Sequence, residues 1–511
     1  MPFARRLALL LLLAAAAGAA PPFNVVEATV DDIQKAIAAK RLTYRQLVQT
    51  YLDRIERYDR SGPKINSVRH VNPQALQIAA ERDRNRRKPH GPLYGIPILL
   101  KDNINTADEP TTAGSLALEG YTPPYDAFLV KRLRAAGAII LGKANLTEWA
   151  NYLTAGMPSG YSSIAGYVLN PYDPRPAPGG DGRPVMTPGG SSAGPGAAMA
   201  ANFATLSIGT ETSGSILSPC TSNSIVGIRP TVGLISRHGI VPIAASQDSA
   251  GPMTRTVRDA AILLGVIAGP DPADATTAAS AGRSHSDYTQ FLKADALKGA
   301  RIGLPRAGYF ATLSDEEKTL MEDAVAQLRR LGAEVIEADI PTVAALRAFR
   351  SAVLKYEFKR DLNAYFATLG PSAPVKSLAD VVAFNAAHQE RALKYGQTLA
   401  IASNGVDLEA EEAAYLTDRA KELRLAKVEG LDVVFAKYRL DAVIFPAGSG
   451  AAIGAKAGYP SVIVPAGYLP SNGMPVGLTF TGPPFSEPKL LGFAYSFEQG
   501  AHRRKPPKST P

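Results

Sequence analysis

Short runs made almost wholly of apolar residues occur near both ends of this chain, and they constrain its fold more than any other feature. Leu93 to Leu100 is one, flanked by Gly91-Pro92 and Asp102-Asn103, and Ala138-Ile139-Ile140-Leu141 is another. Far downstream, Asp441-Ala442-Val443-Ile444-Phe445-Pro446 and Ser461-Val462-Ile463-Val464-Pro465 have the same character. A run of four to eight apolar residues bounded by turn formers reads as a strand buried on both faces. Early and late strands of this kind belong to one sheet. Helical patterns precede and separate them: 27 to 60, with Thr29 as N-cap and Leu47, Tyr51, Ile55 and Tyr58 three or four apart, then Ala127 to Ala135 and Asp315 to Leu331. The expectation is an α/β fold, a mixed central sheet sandwiched between helical layers. Residues 343 to 437 carry helical segments of mixed charge and are expected to form a helical cover over the cleft.

The N-terminus reads as a targeting segment. Arg5 and Arg6 form a basic start, Leu7 to Ala17 an apolar stretch, and Ala17-Gly18-Ala19 a small-residue cleavage site. A signal peptide over about 1–20 implies export to the periplasm or the outside, by the general or the twin-arginine route. An uncleaved anchor is the alternative, although the apolar run is short for a membrane span. The remainder, 21–500, is expected to be one domain with a serine-rich core at about 90–260. At 46% hydrophobic and 20% charged residues the full chain has an ordinary globular composition.

Cys220 is the only cysteine, so no internal disulfide exists, and the expectation for it is a small buried residue. The formal charge of +9 gathers partly in 501–511, around His502-Arg503-Arg504-Lys505, which is expected to be a disordered basic tail. A second cluster runs from Arg82 to Lys88. Neither carries aromatic interleaving or a nucleic-acid motif, so no nucleic-acid partner is expected. No HExxH, CxxC pair or phosphate loop occurs, and neither metal nor cofactor is indicated. Stable membrane association is not expected, and monomer and homodimer both remain open.

Two segments carry chemistry. Gly95-Ile96-Pro97-Ile98-Leu99-Leu100-Lys101-Asp102-Asn103 places a lysine at the end of an apolar strand. Pro188-Gly189-Gly190-Ser191-Ser192-Ala193-Gly194 leads, through a small-residue stretch, to Gly209-Thr210-Glu211-Thr212-Ser213-Gly214-Ser215-Ile216. A serine nucleophile needs a base for its proton and donors for the oxyanion. A buried lysine away from carboxylates is driven toward its neutral, basic form.

These segments resemble the amidase signature family, and so do Gly142-Lys143-Ala144-Asn145-Leu146-Thr147-Glu148-Trp149, Gly227-Ile228-Arg229-Pro230 and Gln247-Asp248-Ser249-Ala250-Gly251-Pro252-Met253. The resemblance implies a Ser-Ser-Lys triad with Ser215 as nucleophile, Ser191 as relay and Lys101 as base. The family's step of 24 residues between its two serines is met by Ser191 and Ser215. It implies an oxyanion hole built from Thr212, Ser213, Gly214 and Ser215, and hydrolysis of a small-molecule or peptide amide. Ser213 stands where the family commonly has glycine, and Glu211 where aspartate is common; this variant is closest to the peptide amidase branch. Asp248, Asn103, Thr112 and Glu148 are expected to support the site, and Trp149 to lie in the core.

Two other readings compete. Gly190-Ser191-Ser192-Ala193-Gly194 also fits G-x-S-x-G, the nucleophile elbow of an α/β-hydrolase esterase, which would use Ser192. An exported peptide- or solute-binding protein would need no serine relay at all.

Overall fold

The computed structural model describes residues 23–86 and 90–511. The targeting segment at 1–20 lies outside the described residues, as do Arg87 and Lys88 of the second basic cluster.

One eleven-stranded sheet runs through the molecule. Its strands are β1 (Val68–Val71), β2 (Pro97–Lys101), β3 (Ile139–Ala144), β6 (Leu206–Glu211), β7 (Val226–Arg229), β8 (Ser249–Thr254), β9 (Arg301–Leu304), β10 (Glu334–Glu337), β11 (Ala442–Pro446), β12 (Ser461–Tyr468) and β13 (Pro475–Thr481). The two remaining strands, β4 (Tyr161–Ser162) and β5 (Gly166–Tyr167), form a separate small hairpin. Across the sheet the order is β1-β3-β2-β6-β8-β7-β12-β13-β11-β9-β10. Neighbours β3-β2-β6 and β11-β9-β10 are parallel and the other pairs antiparallel, so the sheet is mixed as expected.

The run from Leu93 yields a strand only from Pro97, because residues 93–96 are spent on a turn in which Gly95 has φ +72°. Thr29 caps helix Val30–Ala38 with a reciprocal box to Asp32. The continuous core spans both ends of the chain: Leu99 and Ile140 share it with Phe445 and Val462.

The cover begins with helices Val343–Ala348, Val353–Ala367 and Leu378–Ala387. It continues through Gln389–Ala392 and Thr398–Asn404 to Glu412–Leu423, which passes by π-helical turns into Asp432–Tyr438. Phe358, Leu362, Phe366 and Leu378 bury against Leu118, Trp149 and Leu153 in a second apolar cluster. Trp149 stands edge-on to Phe366 with ring centres 6.3 Å apart, a core position.

The basic C-terminal segment corrects its expectation of disorder. Arg504 grips both oxygens of Glu27 at 2.7 Å and donates to Ser224 O. Arg503 pairs with Asp323, and Arg54 donates to the carbonyls of Thr510 and Pro511. Composition counts unsatisfied charge here. The fold supplies acceptors for it from segments hundreds of residues away. Among the described residues no helix is long and apolar enough to cross a membrane.

Candidate active site

Parallel neighbours in a sheet end on the same edge, and ligands of α/β sheets gather beyond those carboxyl ends. β2 and β6 are such neighbours, in register Ile98↔Leu206, Leu99↔Ser207 and Leu100↔Ile208. Lys101, the last residue of β2, therefore falls beside the end of β6, where the chain turns into the loop 212–215. Gly209 lets Ser192 pack directly on β6: a Cβ there would meet Ser192 Oγ at 2.8 Å and would also collide with Met253 Sδ.

Lys101 is fully buried, and its Nζ has three partners: Ser191 Oγ at 2.7 Å, Thr210 Oγ1 at 2.8 Å and Thr210 O at 3.1 Å. Among the described residues no carboxylate pairs with it. Burial pushes its pKa down from 10.5 to about 7, against a weaker upward pull from Asp248 and Glu211. As a neutral amine it would keep two N–H donors for the Thr210 oxygens and turn its lone pair to the Ser191 hydroxyl. Asn103 Nδ2 also donates to Thr210 Oγ1, at 3.0 Å, so this neighbour of Lys101 supports the site directly.

Ser191 is sealed from solvent and follows a cis peptide bond at Gly190-Ser191. Ser215 comes to the same place through the backbone, its carbonyl accepting from Ser192 N–H at 3.1 Å. Its hydroxyl makes no hydrogen bond among the described residues, that to Ser191 included, and Ser215 is 8% exposed. Catalytic hydrogen bonds are often open until substrate arrives. Ser192 is placed differently: buried, with its hydroxyl donating to Thr210 O at 3.0 Å and accepting from Thr210 N–H at 3.3 Å. An elbow serine would stand exposed, so the esterase reading fails here.

The loop after β6 is shaped by one carboxylate. Glu211 Oε2 accepts the amides of Ile216 at 2.7 Å and Leu217 at 2.9 Å. The preceding amides, at Ser213, Gly214 and Ser215, have no partner among the described residues. The one positive φ in the loop, +89°, falls on Gly214, so serine at 213 adds no backbone strain. Glu211 itself lies against the buried Arg229 guanidinium, Nε to Oε1 3.4 Å without hydrogen-bond geometry.

Asp248 precedes β8, and the β6–β8 register, Glu211↔Ser249, sets it opposite Thr212. It accepts the Thr212 hydroxyl and the amides of Ile243 at 2.9 Å and Ala244 at 3.0 Å. Burial raises its pKa to about 6. Thr112 and Glu148 stand one step back: Thr112 bonds Asp102, and Glu148 accepts from Ser163. Cys220 is buried and its thiol pushed up by desolvation, a packing residue as expected. Sequence reading singled out neither Thr210, although it sits inside the motif, nor Arg229 as the partner of Glu211.

A cavity of about 310 Å³ opens against Asn103, Thr210, Glu211 and Thr212; Lys101, Ser191 and Ser215 lie behind this lining and not in it. Thr210, Thr212 and Asp248 form one wall, and Asp361, Ala364 and Tyr365 of the cover helix another. Ile240, Val241 and Pro242 make the floor largely apolar. Among the described residues, no cluster of three or more His, Cys, Asp or Glu side chains is placed to hold a metal ion.

Known proteins share this sequence pattern and this fold. The family model described as Amidase matches residues 46–456. A probable amidase of Arabidopsis thaliana is 41% identical over 95% of this chain and 92% of its own length. An amidase family protein of Bacillus anthracis superposes with a TM-score of 0.86 at 40% identity, covering 95% of this chain and 93% of that one. The native peptide amidase of Stenotrophomonas maltophilia superposes with a TM-score of 0.89 at 45% identity, covering 96% of this chain and 100% of that one. The chain belongs to the amidase family and is an amide-hydrolysing enzyme.

Proposed function

We propose that this enzyme releases ammonia from primary carboxamides, peptide C-terminal amides among them, by a Ser215-Ser191-Lys101 relay through an acyl-enzyme. The 2.7 Å contact between the buried Lys101 amine and the Ser191 hydroxyl carries the reading. Ser215 Oγ attacks the amide carbon; its proton moves to Ser191 as the Ser191 proton moves to neutral Lys101. The oxyanion is met by backbone N–H groups of Thr212, Ser213, Gly214 and Ser215. Lys101 then returns its proton through Ser191 to the nitrogen, and ammonia departs. Water, deprotonated by the same relay, attacks the acyl-Ser215 ester and frees the carboxylic acid.

The peptide-amide preference is supported by 45% identity to a peptide amidase and by a cavity, with Ile240, Val241 and Pro242 in its lining, that reaches Thr210 and Thr212 at the end of β6. Mass spectrometry of an amidated peptide tests it. An intact backbone heavier by about one dalton supports steric exclusion of a continuing chain, and internal fragments contradict it. The residue pattern of 1–20 supports export of the mature enzyme. N-terminal sequencing of native protein should begin near Ala20 or Pro21, and recovery of Met1 or Pro2 would refute the proposal.

A further inference from the structure

The turn 243–247 lines the cavity and presents four successive amides, each of which meets a carboxylate. Asp248 takes Ile243 and Ala244. The other two carboxylates come from the cover helix Val353–Ala367: Asp361 Oδ2 accepts Ala245 N–H at 2.7 Å, and Glu357 Oε2 accepts Ser246 N–H at 3.0 Å. Being four apart, they share one face of that helix. Each is braced from behind, Asp361 by Arg360 Nε at 2.7 Å and Glu357 by the Tyr415 hydroxyl at 2.7 Å. Glu357 is wholly buried, and the Asp361 side chain is 13% exposed.

Three carboxylates around one short turn repel one another. They persist because consecutive backbone N–H groups form a positive concavity that accepts anions. Arg229 fixes the far end of the turn by donating to Gln247 O at 2.7 Å. From the turn, contact continues to the reacting groups: Asp248 accepts the hydroxyl of Thr212, which opens the loop whose amides are unspent.

We propose that Glu357 and Asp361 are positioning residues, through which docking of the helical cover sets the turn, Asp248 and the oxyanion loop. The inference rests on the Ser215 chemistry above. It makes the cover a determinant of kcat as well as a wall of the cleft. A displacement of about 1 Å in a reacting group can lower the rate about a hundredfold.

The test is steady-state kinetics on a primary amide, with melting curves. Asp361→Ala and Glu357→Ala should lower kcat about 10- to 100-fold, with KM changed little. Asp361→Asn, which keeps an acceptor for Ala245 N–H, should recover most of the loss. In combination with Thr212→Val, Asp361→Ala should cost little more than the worse single change, because the two act along one path. Independent, additive losses, a defect in KM alone, or an undiminished kcat would overturn the proposal. Should the alanine variants fail to melt cooperatively, Asp361→Glu decides. It keeps the charge but shifts the carboxylate, so kcat should fall several-fold, and wild-type kcat refutes positioning. Ser215→Ala in the same assay separates the two ideas. Activity there removes the catalytic reading itself, whereas a dead Ser215→Ala beside a fully active Asp361→Ala removes this inference alone.

Discussion

At the scale of single residues, Lys101 is the group that sets the pH behaviour of the proposed relay. Its pKa near 7 means that turnover should rise as pH climbs through neutrality and level off above it. The same shift enters stability. Between about 7 and 10.5 the unfolded chain holds a proton on Lys101 that the folded chain has lost. Unfolding free energy therefore gains up to about 1.4 kcal/mol per pH unit across that window from this group. Below the window both states bind the proton and the contribution is flat at its lowest. Lys101→Met lacks this dependence, so its stability relative to wild type should decline as pH rises from about 7 to about 10; a constant difference would show that Lys101 is not depressed. The meeting of Lys101 with Ser191 was legible in the sequence because their segments resemble a family pattern. Burial of Lys101 was legible through its apolar neighbours Ile98, Leu99 and Leu100. Thr210 was not legible, since a threonine inside a strand motif has no pattern that marks it as a lysine acceptor.

At the scale of elements, the loop after β6 depends on a buried charge pair. Glu211→Gln retains an oxygen for the Ile216 and Leu217 amides but leaves Arg229 facing a neutral group. Breaking a buried pair in this way costs about 3–5 kcal/mol, and turnover should fall with it. Chemical denaturation checks the first; a loss below about 1 kcal/mol, within the range of an exposed pair, would contradict it. The strands that read easily were β11 and the starts of β3 and β12, all apolar runs. β8, Ser249-Ala250-Gly251-Pro252-Met253-Thr254, and β13, Pro475-Val476-Gly477-Leu478-Thr479-Phe480-Thr481, contain proline and glycine, which sequence rules assign to turns. Tertiary contact overrides that propensity. A Cβ at Gly251 would stand 1.9 Å from Ile228 O, so glycine is what lets β7 and β8 close on each other.

At the scale of the whole molecule, residues near the two ends of the chain meet. Arg504 and Glu27 pair across 477 residues, a relation that no local pattern encodes, which is why the tail read as solvated charge. Arg504→Ala should cost about 1.5–3 kcal/mol, the worth of hydrogen bonds to charged groups. Unchanged denaturation would mean that the segment is not held. The single sheet was legible because buried runs at both ends require shared burial. The docking of cover to turn was not, because Glu357 and Asp361 look like any charged pair on a helix. The catalytic assignment is tested most directly by ammonia release from an amidated peptide, with wild-type enzyme and Ser215→Ala side by side. Wild type should release ammonia, and the variant, with an unchanged melting curve, should release none. Ammonia release by Ser215→Ala at about a tenth of the wild-type rate or more would contradict the assignment, because removing a nucleophile that works with its relay as one unit costs several orders of magnitude in kcat.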